Sequence, residues 1–264
     1  MKLKRYHYIL IIGSLIILLS IINHIAVLHR EAVNKEQQKM AVAKKTEQKK
    51  VVPVKEIQYT FREIYDVKTS EKKVALTFDD GPDNRYTPQI LDILKDNQVK
   101  ATFFLVGRQI DKDPSVVKRI FSEGHEIGNH TVNHPNLNKM EVQQISQEVE
   151  NNNAKIKKLT GYTPVLFRSP YGNASEQVKE VLKDSHLLLI NWSVDTRDWK
   201  ETSPEMILAN LKKEIRPGSI VLQHSFGGKK VHNTIAALPE EIKWLKEQGY
   251  TLVTVSELIK QENK

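Results

Sequence analysis

The chain has 264 residues, a net charge of +8 from 40 Lys and Arg against 32 Asp and Glu, 39% hydrophobic residues and no cysteine. The missing sulfur excludes disulfide scaffolds, thiolate zinc sites and cysteine nucleophiles, and the apolar content excludes a wholly disordered chain. Residues 1–58 carry 11 basic and 4 acidic side chains while residues 59–264 carry 29 and 28, so the folded part is nearly neutral and no nucleic-acid partner is expected.

The basic tip over 1–7, with Lys2, Lys4 and Arg5, leads into an apolar run over 8–28. As a helix rising about 1.5 Å per residue, that run spans about 31 Å, the hydrocarbon thickness of a bilayer. Its interruptions, Gly13, Ser14, Ser20, Asn23 and His24, carry no formal charge. No A-x-A cleavage site follows, so the run reads as an uncleaved signal-anchor with a cytoplasmic tip and the C-terminus across the membrane. Cleavage would instead give a secreted product. The Lys-, Glu- and Gln-rich stretch over 29–58 is too poor in large apolar residues to fold and reads as a polar tether. The expected location is therefore the cell membrane, single-pass, with the lipid bilayer as partner of the N-terminal helix and residues 59–264 outside.

From residue 59 onward, β-branched runs alternate with amphipathic stretches. Strands are expected over 74–77, 101–106, 126–127, 165–167, 187–192, 220–223 and 251–253. Thr87-Pro88 is expected to open a helix as cap and first residue, with Ile90, Leu91 and Leu94 on one face. A second helix over 141–159 aligns Val142, Ile145, Val149, Ile156 and Leu159. Ser203-Pro204 opens a third, and Gly249 closes a fourth after Gln248. This repetition predicts an α/β fold with a parallel sheet, open or curled into a barrel.

Active sites in such folds form at the carboxyl ends of the strands. Asp79-Asp80-Gly81, His130-Thr131-Val132-Asn133-His134, Arg168-Ser169-Pro170-Tyr171, Asp195-Thr196-Arg197-Asp198-Trp199 and His224 all fall there. Two His at i, i+4 on one helical turn can aim both imidazoles at one point, a common way to hold zinc. One carboxylate of the Asp79-Asp80 pair completes a two-His, one-carboxylate set, and the other is left free as a base. An Arg among these acids, Arg168, would hold one of them ionised. Asp198 offers His224 a partner that raises its pKa toward a general-acid role. Trp199 reads equally as core or as a wall for stacking a sugar.

The ordered motifs TFDDG (77–81), HTVNH (130–134), RSPY (168–171), DTRDW (195–199) and VLQH (221–224) resemble those of the polysaccharide deacetylase family, carbohydrate esterase family 4 or NodB-homology group. The likeness covers roughly residues 74–259. It implies a distorted, incomplete (β/α) barrel with one divalent metal ion, commonly zinc, with cobalt, manganese or nickel as substitutes. It also implies Asp80, His130 and His134 as ligands, Asp79 as general base and His224 as general acid. By the same likeness Arg168 supports Asp79, Asp198 tunes His224, the N–H of Tyr171 holds the oxyanion, and Trp199 and Leu222 shape the acetyl pocket. Val221 and Ser225 depart from the commoner Leu and Asp at the pocket edge.

The expected activity is hydrolysis of N-acetyl groups from N-acetylglucosamine residues of a cell-envelope glycan, foremost peptidoglycan. Chitin oligomers, another exopolysaccharide, O-acetyl xylan and an inactive wall-binding homologue are the alternatives. A two-His, one-carboxylate iron oxygenase fits poorly, because its ligands normally sit on a double-stranded β-helix. The sequence leaves the oligomeric state open.

Overall fold

The computed structural model describes residues 60–262 together with residues 29, 30 and 35. The expected spanning run over 8–28 and nearly all of the tether over 29–58 lie outside the described residues. Among the described residues no helix is long and apolar enough to cross a membrane.

The sheet is built from β1 (Glu63–Ile64), β2 (Lys73–Asp79), β3 (Thr102–Leu105), β4 (Glu126–Asn129), β5 (Leu166–Phe167), β6 (Leu188–Ile190), β7 (Val194–Asp195), β8 (Ile220–His224) and β9 (Thr251–Leu252). All of its ladders are parallel, in the order β1-β6-β5-β4-β3-β2-β8-β7, and β9 adds to the start of β2. Parallel strands demand crossovers, supplied by α1 (Thr87–Asp96), α2 (Gly107–Lys112), α3 (Pro114–Ser122), α4 (Val142–Thr160), α5 (Glu176–Asp184), α6 (Pro204–Glu214), α7 (Lys229–Glu247) and α8 (Val255–Ile259). Strand β2 is buried along its length from Val74 to Asp79, as a strand covered on both faces must be.

Its alternation sorts the core. Val74, Leu76 and Phe78 pack outward with Ile90, Leu91, Leu94, Leu238 and Ile242 of α1 and α7. Ala75 joins Phe104, Leu166, Ile190 and Ile220 in a second cluster, into which α8 sends Val255 and Leu258. That helix plugs the amino-terminal end of the strands: the N–H of Val255 donates to Thr102 Oγ1 and that of Ser256 to Glu126 Oε2, both at 3.0 Å. The carboxyl end is left open.

Strands β6 and β7 stand at different places in the sheet order yet are separated only by residues 191–193. Within that segment the N–H of Asn191 donates to Ile64 O at 2.7 Å and that of Ser193 to Ile220 O at 3.1 Å. One interrupted strand thus bridges β1 on one side and β8 on the other. The result is a parallel-strand half-barrel, consistent with the incomplete barrel anticipated from the sequence.

The seven anticipated strands are present. β1 and β7, two residues each, were not anticipated. Thr87 is the first residue inside α1 rather than its cap. Asp83 does the capping instead, its Oδ1 accepting from the N–H groups of Arg85, Tyr86 and Thr87 at 3.1, 2.6 and 2.9 Å. Val142, expected on the buried face of α4, is 47% exposed because it opens the helix ahead of the contact that starts at Ile145. Ser203 caps α6 by accepting from Met206 N–H, and Gly249, in the left-handed region at φ 81°, follows the end of α7, both as anticipated.

Candidate active site

Parallel register places Asp79, the last residue of β2, directly beside His224, the last residue of β8. The next residue, Asp80, turns out of the strand with φ 73°. The two neighbouring carboxylates therefore leave the strand end in different directions, and the repulsion between them is relieved separately. Asp79 Oδ1 accepts from Arg168 Nη1 at 2.8 Å. Asp80 Oδ1 lies 3.4 Å from His130 Nε2 and 3.2 Å from His134 Nε2.

Arg168 is wholly buried, and each nitrogen of its guanidinium has work. Nε donates to Ile190 O at 3.0 Å, Nη2 to Asn191 O at 3.0 Å, and Nη1 also to Thr77 Oγ1 at 2.7 Å. Its carbon sits 4.1 Å from the centre of the Phe104 ring. Burial lowers the guanidinium from its ordinary value, while the charge and hydrogen bond of Asp79 oppose that shift.

His130 and His134 do not share a helical turn. Residues 130–134 form an irregular loop in which Thr131 and His134 take positive φ values of 65° and 59°. The loop's amides are satisfied by side chains rather than by a helix. Glu148 Oε2 accepts from the N–H groups of Val132 and Asn133 at 2.9 and 2.8 Å, Asn129 Oδ1 from Thr131 N–H at 2.8 Å, and Thr131 Oγ1 from His134 N–H at 2.9 Å. The two rings still converge, with centroids 4.9 Å apart.

His130 Nδ1 bonds to Arg168 O at 2.7 Å, which fixes that nitrogen as the donor and turns Nε2 toward Asp80. Asp80, His130 and His134 each offer a ligand atom, and the three lie within 4.8 Å of one another. Two imidazoles and one carboxylate are a donor set suited to a divalent transition metal, with coordination positions to spare. Burial disfavours the charge on Asp80, but the hydrogen bond to His130 and the nearby His224 and His134 outweigh it and bring its carboxyl down to about 2. Burial, joined by His130, lowers His134. These two shifts favour the ligating forms, carboxylate and neutral imidazole, whereas at His130 burial is outweighed by the charges of Asp79 and Asp80, which raise it.

Across the cleft, Asp198 is buried and takes His224 twice, Oδ1 facing Nδ1 and Oδ2 accepting its backbone N–H, both at 2.8 Å. Thr234 Oγ1 also donates to Oδ2 at 2.8 Å. Burial works against a charged imidazole here, but Asp198 first, then Asp79 and Asp80, raise His224 to about 9.

A cleft of about 380 Å³ joins these groups, lined by Asp79, Asp80, His130, His134, Tyr171, Trp199, Leu222 and His224, with Ser169, Gly172, Trp192 and Asp195. Tyr171 lies on a short turn with φ 63° and packs edge-on against His134, ring centroids 4.8 Å apart. The adjacent Gly172 has φ 69°, and a β-carbon there would come within 2.6 Å of the Trp192 ring, so only glycine lets this wall form. Trp199 is 43% exposed, a rim residue rather than core. All ten sequence-derived site residues thus meet at one place. Sequence reasoning missed Glu148, Asn129, Thr234 and Trp192.

A parallel half-barrel with this carboxyl-end cluster has the parts that metal-assisted hydrolysis uses. The family model for polysaccharide deacetylase matches residues 66–189. Two peptidoglycan-N-acetylglucosamine deacetylases of Bacillus cereus are 43% and 38% identical, over 70% and 79% of this chain and 68% and 98% of their own lengths. A solved peptidoglycan N-acetylglucosamine deacetylase superposes with a TM-score of 0.73 at 40% identity, covering 75% of this chain and 94% of that one. A CE4 family pseudoenzyme of Bacillus anthracis superposes at 0.72 with 34% identity, covering 78% and 71%. The chain belongs to the polysaccharide deacetylase family, and it is a hydrolase of that class.

Proposed function

We propose that the protein removes the N-acetyl group from N-acetylglucosamine residues of peptidoglycan, releasing acetate, outside a membrane to which residues 8–28 anchor it through the tether over 29–58. One observation carries the chemistry. Asp79, held by Arg168, and His224, held by Asp198, share a cleft with the converging Asp80, His130 and His134. The substrate follows from the two Bacillus cereus relatives, both named for that sugar. Asp80, His130 and His134 would hold the divalent metal ion, and zinc is our choice because imidazole and carboxylate suit it. When bound, the ion supplies Lewis-acid polarisation of the acetamide carbonyl and a more acidic water.

The protein's own residues do the rest. Arg168 occupies Asp79 Oδ1, so Oδ2 remains to take the proton of the attacking water. The backbone N–H of Tyr171 steadies the developing oxyanion; one such donor is typically worth about 3–4 kcal/mol. Leu222 and Trp199 enclose the acetyl methyl and exclude bulk water. His224, charged at neutral pH, donates its Nε2 proton to the departing nitrogen while Asp198 keeps the Nδ1 side occupied.

Two related proteins are named N-acetylmuramic acid deacetylases, at 37% and 36% identity in Bacillus subtilis, and the test must separate the sugars. Purified protein, reconstituted with zinc, is incubated with peptidoglycan, and the muramidase products are fragmented by tandem mass spectrometry so that each sugar is weighed separately. Loss of acetyl from the glucosamine position is expected. Loss from the muramic acid position alone would replace the substrate, and no acetate with metal bound would place the chain with the pseudoenzyme.

A further inference from the structure

Helix α7 meets β8 through a polar pair in the outer layer of the core. Glu241 is fully buried, and its Oε2 accepts from Gln223 Nε2 at 2.7 Å. The other oxygen of each group, Glu241 Oε1 and Gln223 Oε1, is buried without a hydrogen-bond partner among the described residues. Two acceptors cannot satisfy each other, and a buried carboxylate without a cation is costly. One proton resolves both problems, because a carboxylic acid and a primary amide close a ring through two hydrogen bonds.

We propose that Glu241 is a neutral carboxylic acid that donates from Oε1 to Gln223 Oε1 while accepting on Oε2. The pair clamps α7 to β8 one residue before His224, making Glu241 a positioning residue for the general acid. The surroundings agree. Burial and the charge of Asp198 raise the carboxyl to about 8, and the Gln223 hydrogen bond only partly offsets them. From β8 comes the uncharged Gln223, and from the turn before α6 comes Asp198. From α1 and α6 the same core receives Ile90, Leu91, Leu94 and Leu211. No cation contributes among the described residues. Two turns earlier on α7, Thr234 donates to Asp198, the partner of His224. One helix face therefore steadies the acid from its side chain and from its strand.

The protonation half needs no assumption about the reaction, whereas the positioning half rests on His224 being the acid, so the two can fail separately. For the first, infrared spectra of the full chain and of Glu241→Gln are compared at pH 7, and thermal unfolding is followed from pH 4 to 9. The wild type is expected to show a protonated-carboxyl stretch that Glu241→Gln lacks. A carboxyl raised from 4.5 to about 8 favours the folded state less as pH rises through that window, by up to about tenfold in the folding constant per pH unit. Glu241→Gln, which keeps both hydrogen bonds without needing a proton, should gain on the wild type across the same window. A pH-independent difference, or no protonated carboxyl, overturns the neutral acid.

For the second half, Glu241→Leu and Gln223→Met should each lower kcat roughly tenfold, part of what a general acid supplies, with KM little changed. Glu241→Gln should restore what Glu241→Leu loses. Wild-type kcat in either apolar variant overturns the positioning role; if one fails to fold, the other decides.

Discussion

The site has two kinds of residue, and they are held in place by different means. Asp79, Arg168 and His224 stand at or just beyond strand ends, where the β2–β8 register and the parallel ladders fix their backbones. Asp80, Thr131, His134 and Tyr171 stand just off the strands with left-handed backbones, φ between 59° and 73°. Such conformations cost of order 1–3 kcal/mol each and persist only when the surroundings over-determine them. Here the surroundings are side chains: Glu148 and Asn129 gather the amides of the 130–134 loop. The strand-borne half is rigid because the sheet is; the loop-borne half is rigid only while its buried acceptors stay intact.

The sharpest way to separate the halves is to remove one member of each. Asp79→Asn should keep metal and lose activity by about 10³-fold, as expected for a base. His134→Ala should lose both, read by metal analysis beside acetate release. Metal loss in Asp79→Asn would erase the division. Next comes Asp198→Asn, which removes the leading cause that raises His224. The protonated acid is then lost at lower pH, so the alkaline limb of the kcat profile should move down from about 9. kcat should also fall by about 10²-fold. Glu148→Ala tests the loop. It leaves the part-buried amides of Val132 and Asn133 without their acceptor and should weaken metal binding by about 10–100-fold. Unchanged metal affinity in a metal titration would show that the loop holds itself. Trp199→Ala at the rim should have the smallest effect, a several-fold rise in KM for wall glycan with kcat nearly kept.

What the sequence disclosed follows the same line. All strands but β1 and β7 were legible, and so were the side chains at their carboxyl ends, because an α/β fold reserves those places for chemistry. The helical reading of His130 and His134 failed, since i, i+4 spacing looks alike in a helix and in a loop closed by Glu148. The signal was nonetheless present. In α4 the buried positions are Ile145, Glu148, Val149, Asn152 and Ile156. An acid and an amide thus interrupt a stripe that the period assigns to the core. Glu241 breaks the stripe of Leu238, Ile242 and Leu245 in α7 in the same way. Polar residues at core positions mark where a helix supports a site. Which atoms they serve depends on contacts between distant segments, which no local period encodes.

The guanidinium of Arg168 also couples distant parts of the chain. It bonds Thr77 and Asp79 from the first long strand and the carbonyls of Ile190 and Asn191 from the segment that bridges β1 and β8. A nascent chain that ends before Asn191 has its Asp79 but not the full set of acceptors that orients Arg168 against it. Closure of the sheet and alignment of the base therefore rest on one side chain, and neither is complete without the acceptors of the other.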